Sequence, residues 1–281
     1  MCRVVSIGLV LCACVAAGAS AADPWADQVV SYDPGDAADF TDAAVVLGEP
    51  SQTTWESVNW PSTEELVSVR MTESPWVDYQ VCKIGTAGHL TVAFHEDEPV
   101  ENDPANPYGI DLLVFANRVF FSADWPANTT IGAGWFGGVI GTISVSQDDV
   151  TYYRVASTGP LFPTQAFHSG ASDAHLAGAT PQDYTLPVDP SIALDSFYGL
   201  TVAQALALYG TSGGGMGIDL DDLLDAGGDP AGLPWIRYVK IEGWTSAIDA
   251  FADVSAVPEP ATLALLAVGG AAMLLRRRRR A

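Results

Sequence analysis

Short runs in which apolar and polar residues alternate one by one constrain this 281-residue chain more than any other feature. In His89-Leu90-Thr91-Val92-Ala93-Phe94, the residues Leu90, Val92 and Phe94 fall on one face of an extended strand. In Gly141-Thr142-Ile143-Ser144-Val145-Ser146, Ile143 and Val145 do the same, leaving Thr142, Ser144 and Ser146 to face water. Successive side chains of a strand point to opposite faces, so a period of two demands sheets with one buried side. Similar β-branched and aromatic runs are expected to form strands over 44–47, 66–71, 76–84, 110–121, 151–156 and 235–242. Gly, Pro, Asn and Asp clusters such as 98–108 and 213–217 separate them. The run Ile110-Asp111-Leu112-Leu113-Val114-Phe115-Ala116 is apolar almost throughout and predicts a central strand buried on both faces. Two stretches read as helical, 201–209 and 220–226, the second capped by Asp219 and stopped by Gly227-Gly228. There is no βαβ alternation and no internal repeat. The expected fold class is therefore all-β: an antiparallel β-sandwich, jelly-roll-like, with one or two short helices.

Charge narrows the partners. The chain has 34 acids and 12 bases, and Arg3 and five terminal arginines stand outside the central region. Residues 23–257 hold 33 acids against 6 bases, a balance of −27. Such a surface repels nucleic acid and anionic lipid. It suits solubility in a salty exterior or uptake of divalent cations.

The two ends carry targeting chemistry. Met1-Cys2-Arg3, the apolar run 4–17 and Ala19-Ser20-Ala21-Ala22 form the three regions of a signal peptide over 1–22. Lipoprotein processing at Cys14 is the competing reading, with Cys12 poorly placed for that signal. Cys2, Cys12 and Cys14 leave with this segment, so the mature chain keeps Cys82 alone and forms no internal disulfide. Cys82, beside Tyr79-Gln80-Val81, reads as a small buried hydrophobe. At the other end Pro258-Glu259-Pro260 precedes the apolar run 261–275, then Arg276, Arg277, Arg278, Arg279 and Arg280. The prolines set an extended stop. Fifteen residues make a helix of roughly 22 Å, short of the roughly 30 Å hydrocarbon core, so spanning needs bilayer thinning or snorkelling arginines. The arginines stay cytoplasmic and fix the orientation.

This tripartite tail resembles the PEP-CTERM sorting signal of exported proteins in exopolysaccharide-producing bacteria. The resemblance implies recognition of Pro258, Glu259 and Pro260 by an exosortase-type sorting enzyme and processing at the cell surface. An ordinary single-pass tail anchor is the alternative. The expected organisation is a signal peptide at 1–22, an acidic ectodomain at 23–252 and a linker at 253–260. A transmembrane helix at 261–275 holds the precursor in the inner membrane, and a basic tail occupies 276–281.

A second resemblance runs through the middle of the chain. Val46-Leu47-Gly48-Glu49-Pro50, the strands beginning at Gly88 and Gly109, and Ile143-Ser144-Val145-Ser146-Gln147-Asp148 resemble a group of bacterial secreted β-sandwich surface domains. Gly217-Ile218-Asp219-Leu220, the strand 235–241 and Ile248-Asp249-Ala250-Phe251-Ala252-Asp253-Val254 complete the pattern. The resemblance implies a surface domain and not an enzyme. Asp149 stands where that pattern has a turn glycine, which leaves the hairpin type open.

Catalytic chemistry is sparse. His89, His95, His168 and His175 lack a zinc-site spacing or cysteine partners. Ser169, Asp173 and the two neighbouring histidines share one loop, whereas triads assemble from distant segments. Gly213-Gly214-Gly215-Met216-Gly217 lacks the lysine of a phosphate loop and reads as a flexible turn. No motif calls for a cofactor. Calcium is the cation that Asp219, Asp221, Asp222 and Asp225 would take, with the acidic loop 96–103 a second candidate, although neither has EF-hand spacing. The bland reading of both is a solvated acidic turn. Trp55, Trp60, Trp76, Trp125 and Trp135 are candidates to stack on sugar rings. The expected function is a non-enzymatic exported surface protein, structural or adhesive, within the envelope or a polysaccharide matrix. A carbohydrate-binding module is the alternative, and a secreted hydrolase the third reading.

Overall fold

The computed structural model describes residues 23–51, 78–124, 129–164, 167–168, 180–243 and 245–254. In chain order the strands are β1 (Gln28–Asp33), β2 (Cys82–Ile84), β3 (His89–Ala93), β4 (Val100–Glu101), β5 (Leu112–Ala116) and β6 (Val119–Ser122). Next come β7 (Ile131–Phe136), β8 (Thr142–Ser146), β9 (Tyr153–Val155), β10 (Phe167–His168) and β11 (Thr180–Pro181). The last are β12 (Met216–Ile218), β13 (Leu223–Leu224), β14 (Trp235–Ile236), β15 (Tyr238–Glu242) and β16 (Thr245–Asp253). One sheet has the order β1-β3-β15-β8-β9-β13 and a second β12-β5-β16-β2. Three two-stranded ribbons, β10–β11, β14–β4 and β6–β7, flank them. Neighbouring strands in all of these run antiparallel. The class is all-β, as the alternation requires.

Register explains the core. Val92, Val239 and Val145 stand side by side across β3, β15 and β8, and Leu90, Ile241 and Ile143 form the next row. These rows join Leu112, Val114, Ile248 and Phe251 of the four-stranded sheet in one hydrophobic cluster. Each such side chain contributes about 1.5–3 kcal/mol when fully buried. All five residues of β5 are buried. Leu112, Val114 and Ala116 face the shared core, while Leu113 and Phe115 join Tyr184, Ala250 and Ala252 in a second cluster on the opposite face. The central strand expected at 110–116 is thus present. The wet face of β8 is drier than its alternation implies, since Ser144 and Ser146 are buried. Ser144 pairs with Lys240 and Arg154, and the Lys240 ammonium lies over the Tyr152 ring. Long side chains roof the polar rows.

The helix expected at 201–209 is α1 (Val202–Tyr209), held by a reciprocal capping box between Thr201 and Gln204. Its inner face adds Ala205 and Tyr209 to a third cluster with Phe120, Phe162 and Phe197. Two expectations change. Residues 44–47 are not a strand: Ala43–Val46 is a 3-10 helix, because the Asp42 carboxylate accepts from Ala44 N at 3.0 Å and caps it. Residues 220–226 are one 3-10 turn, Leu220–Asp222, followed by β13, and the Asp219 cap is present. Strands β1, β4, β7, β10, β11, β12 and the nine-residue β16 arise where no strand was expected. The run at 66–71 lies outside the described residues. The ordered fold also continues past 252, for Asp253 ends β16 and Val254 is buried, its N–H donating to Asp111 O at 2.9 Å. Cys82 is fully buried, and burial pushes its thiol up to about 11, which keeps it protonated and inert.

Candidate functional site

Pro258, Glu259, Pro260 and the arginines at 276–280 lie outside the described residues, as do residues 1–22, where a signal peptide is expected, and the apolar run 261–275. Among the described residues no helix is long and apolar enough to cross a membrane.

The four aspartates expected around calcium occupy one surface loop but serve separate bonds. Asp219 Oδ1 accepts from Asp221 N at 2.8 Å. Asp221 Oδ1 accepts from Asn102 Nδ2 at 2.9 Å. Asp225 Oδ1 accepts from Gly227 N at 2.8 Å and Asp229 N at 2.9 Å. Asp222 is exposed on the same turn. Among the described residues no three His, Cys, Asp or Glu side chains converge in a way that could hold a metal ion. In the second acidic loop Asp103 Oδ1 accepts from Ala105 N, and Glu98 Oε2 from Asp23 N.

Sequence reasoning missed the group that positions the first loop. Asp111 is fully buried within the otherwise apolar run before β5. Its Oδ1 accepts from Asp103 N and Asn106 Nδ2, both at 3.0 Å, and its Oδ2 accepts from Leu220 N at 3.0 Å. Burial raises its carboxyl, and the three donors pull the other way. One carboxylate therefore ties the 103–110 loop to the Asp219 turn. Nearby, burial and the negative charges of Asp111 and Glu101 push Asp253 up to about 7. Asp249 is also pushed up to about 7, by burial that outweighs its bonds from Ser51 N at 3.1 and 3.2 Å. An acidic residue in an apolar strand was the one available signal, and it does not reveal its partners.

The aromatic surface is partly described. Trp55, Trp60, Trp76 and Trp125 lie outside the described residues. Trp135 on β7 is 40% exposed, with the Arg118 guanidinium 5.1 Å from its ring centre. Arg118 donates to Leu161 O and Gly138 O, and burial holds its pKa below the usual value. Phe121 and Phe136 are exposed on the same ribbon, and Tyr108 is exposed on the 3-10 turn Pro107–Gly109. His95 Nδ1 accepts from Asp97 N, His89 sits at the start of β3, and His175 lies outside the described residues. The hairpin left open at Asp149 is resolved: Asp149 itself takes the left-handed backbone, φ 60°, while Asp148 Oδ1 accepts from Val150 N and Thr151 N.

No curated protein matches the chain. The PEP-CTERM protein-sorting motif matches residues 256–280, covering Pro258, Glu259, Pro260, the apolar run and all five arginines. That motif marks a membrane-anchored precursor sorted to the cell envelope by an exosortase-type enzyme. The chain thus carries a PEP-CTERM protein-sorting motif at 256–280, behind an acidic all-β domain.

Proposed function

We propose that this is a non-catalytic surface protein, exported through the signal peptide at 1–22 and anchored through the helix at 261–275. In this reading the two sheets form a β-sandwich ectodomain that serves a structural or adhesive role in the envelope or its polysaccharide matrix. The observation that carries it is the matched sorting motif at 256–280, which begins two residues beyond Val254, the last described residue and a buried one. The acidic balance of residues 23–257 keeps the domain soluble and hydrated outside the cell. Fractionation of the native host, with protease applied to intact cells, tests this. The expected result is a protease-accessible protein in the surface or matrix fraction, and a protected cytosolic protein would overturn it.

A second reading, carbohydrate binding, is favoured by one observation: exposed aromatic rings at Tyr108, Trp135 and Phe136. Retention of the protein on polysaccharide is the measurement that separates it from a purely structural role.

A further inference from the structure

A groove of about 300 Å³ opens where the Tyr108 turn, the 157–160 loop, Pro190 and the Asp219–Asp222 turn meet. That volume is at the lower end for ligand sites, roughly 300–1,000 Å³. Tyr108 stands at its lip, 58% exposed and with φ 62°. A bulky residue with left-handed backbone is an outlier, and Pro107 before it and Gly109 after it, φ 72°, make the corner that holds it. Gly159, Gly217 and Ile110 line the groove too: Gly159 N donates to Gly217 O at 2.9 Å, and Ile110 packs so close that a Cβ at Gly217 would meet its Cδ1 at 2.5 Å. Two carboxylates, Asp219 and Asp222, line the same groove. Asp219 Oδ1 is occupied by its cap, while a Cβ at Gly109 would stand 3.2 Å from Oδ2, so glycine there leaves room beside that oxygen. Asp222, Ser157 and Thr158 add exposed polar groups to the wall. Beneath, Asp111 ties the two turns that carry Tyr108 and Asp219.

An open groove lined by an exposed ring and by hydrogen-bond acceptors matches a sugar. The C–H face of a pyranose packs on an aromatic ring, and its hydroxyls donate to carboxylates in strong charge-assisted bonds. Charge selects among polysaccharides, because two carboxylates on a strongly acidic domain repel anionic polymers. We propose that this groove binds a neutral, hydroxyl-rich polysaccharide, with Tyr108 stacked on a sugar ring and Asp219 and Asp222 accepting its hydroxyls. The site rests on the carbohydrate-binding reading and gives it a location and a ligand class.

Affinity electrophoresis of the full-length protein in detergent, through gels containing dextran, galactomannan or alginate, tests the site. At least one neutral polymer is expected to retard the protein, and alginate is not. Tyr108→Phe keeps the ring and is expected to keep the retardation. Tyr108→Gly removes the ring and also relieves the left-handed backbone, so its melting temperature stays at or above that of the parent. Its affinity is expected to fall roughly tenfold, and the Asp219→Asn, Asp222→Asn double variant should fall comparably. Retardation of the parent that survives Tyr108→Gly overturns this groove and leaves carbohydrate binding standing elsewhere on the protein. Stronger retardation by alginate overturns the assigned ligand class. No retardation by any of the three polymers overturns the carbohydrate reading itself, and the groove with it.

Discussion

Asp111 and Leu220 are 109 residues apart in sequence, yet the Asp111 carboxylate accepts the Leu220 N–H at 3.0 Å in the protein interior. The same carboxylate holds Asp103 N and Asn106 Nδ2. Replacing it with alanine leaves three donors without acceptors, Asn106 Nδ2 and Leu220 N in buried places and Asp103 N in a half-buried one. Each orphaned buried group costs about 1–3 kcal/mol, so with two of them Asp111→Ala should destabilise the domain by about 2–6 kcal/mol. Asp111→Asn keeps the shape but turns an amide donor toward other donors, and should cost about 1–3 kcal/mol. Urea unfolding at constant m-value measures both, and a loss under 1 kcal/mol for the alanine variant would mean the brace carries no weight.

Stability should fall as pH rises from about 4 toward 7. Asp249 titrates at about 7 in the folded chain against an ordinary value of 3.8, so the fold binds its proton more tightly than the unfolded chain does. The stability linked to that proton is complete below about pH 4 and is lost on the way to pH 7, in total about 4 kcal/mol. Asp253, raised to about 7 as well, acts in the same direction. Urea midpoints at pH 5, 6, 7 and 8 should therefore decline, and Asp249→Asn should flatten the slope by about one proton. A midpoint that climbs between pH 5 and 7 would show that these carboxyls are not buried as described.

The acidic loop should show no preference for calcium. Asp219, Asp221 and Asp225 each satisfy a different hydrogen bond, so the cation effect left to them is general screening. Millimolar calcium and magnesium should raise the melting temperature equally. A calcium-specific shift that disappears in Asp221→Asn, Asp222→Asn would return the loop to a binding role.

Sorting is expected to depend on Pro258-Glu259-Pro260, which lie within the matched motif. Its replacement by three alanines should leave the protein uncleaved in the inner membrane, while the native chain loses its arginine tail. Mass spectrometry of the mature C-terminus checks this, and an intact arginine tail on surface-exposed native protein would refute it.

The strands that were legible in the sequence share one property: their burial is written in apolar side chains. Leu90-Thr91-Val92, Ile143-Ser144-Val145 and Val239-Lys240-Ile241 alternate, and β5 is apolar throughout, so their strand character follows from the order of apolar residues. Strand β7 was hidden because Ile131-Gly132-Ala133-Gly134 offers little hydrophobic signal, and β12 because Met216-Gly217-Ile218 extends a glycine run. Val45-Val46 misled because a local aspartate cap prevailed over β-propensity. The groove was illegible for a different reason. Asn106-Pro107-Tyr108-Gly109 reads as an ordinary turn, and only the folded topology carries it to Asp219 and Thr158.

The nine residues of β16 have a mechanical consequence. They form an interior strand, hydrogen-bonded to β5 on one side and β2 on the other, and lead toward the sorting motif at 256–280. Trp25 bridges Ala252, and Asp253 N donates to Pro24 O at 2.7 Å, so the first described residues are sewn to the same end of that strand. A pull on the tail therefore runs along the length of β16. It loads the ladder bonds together in shear, where an edge strand pulled from one end would open them one at a time. If the proposed anchoring holds, a domain tethered through this strand is expected to resist being pulled open by flow.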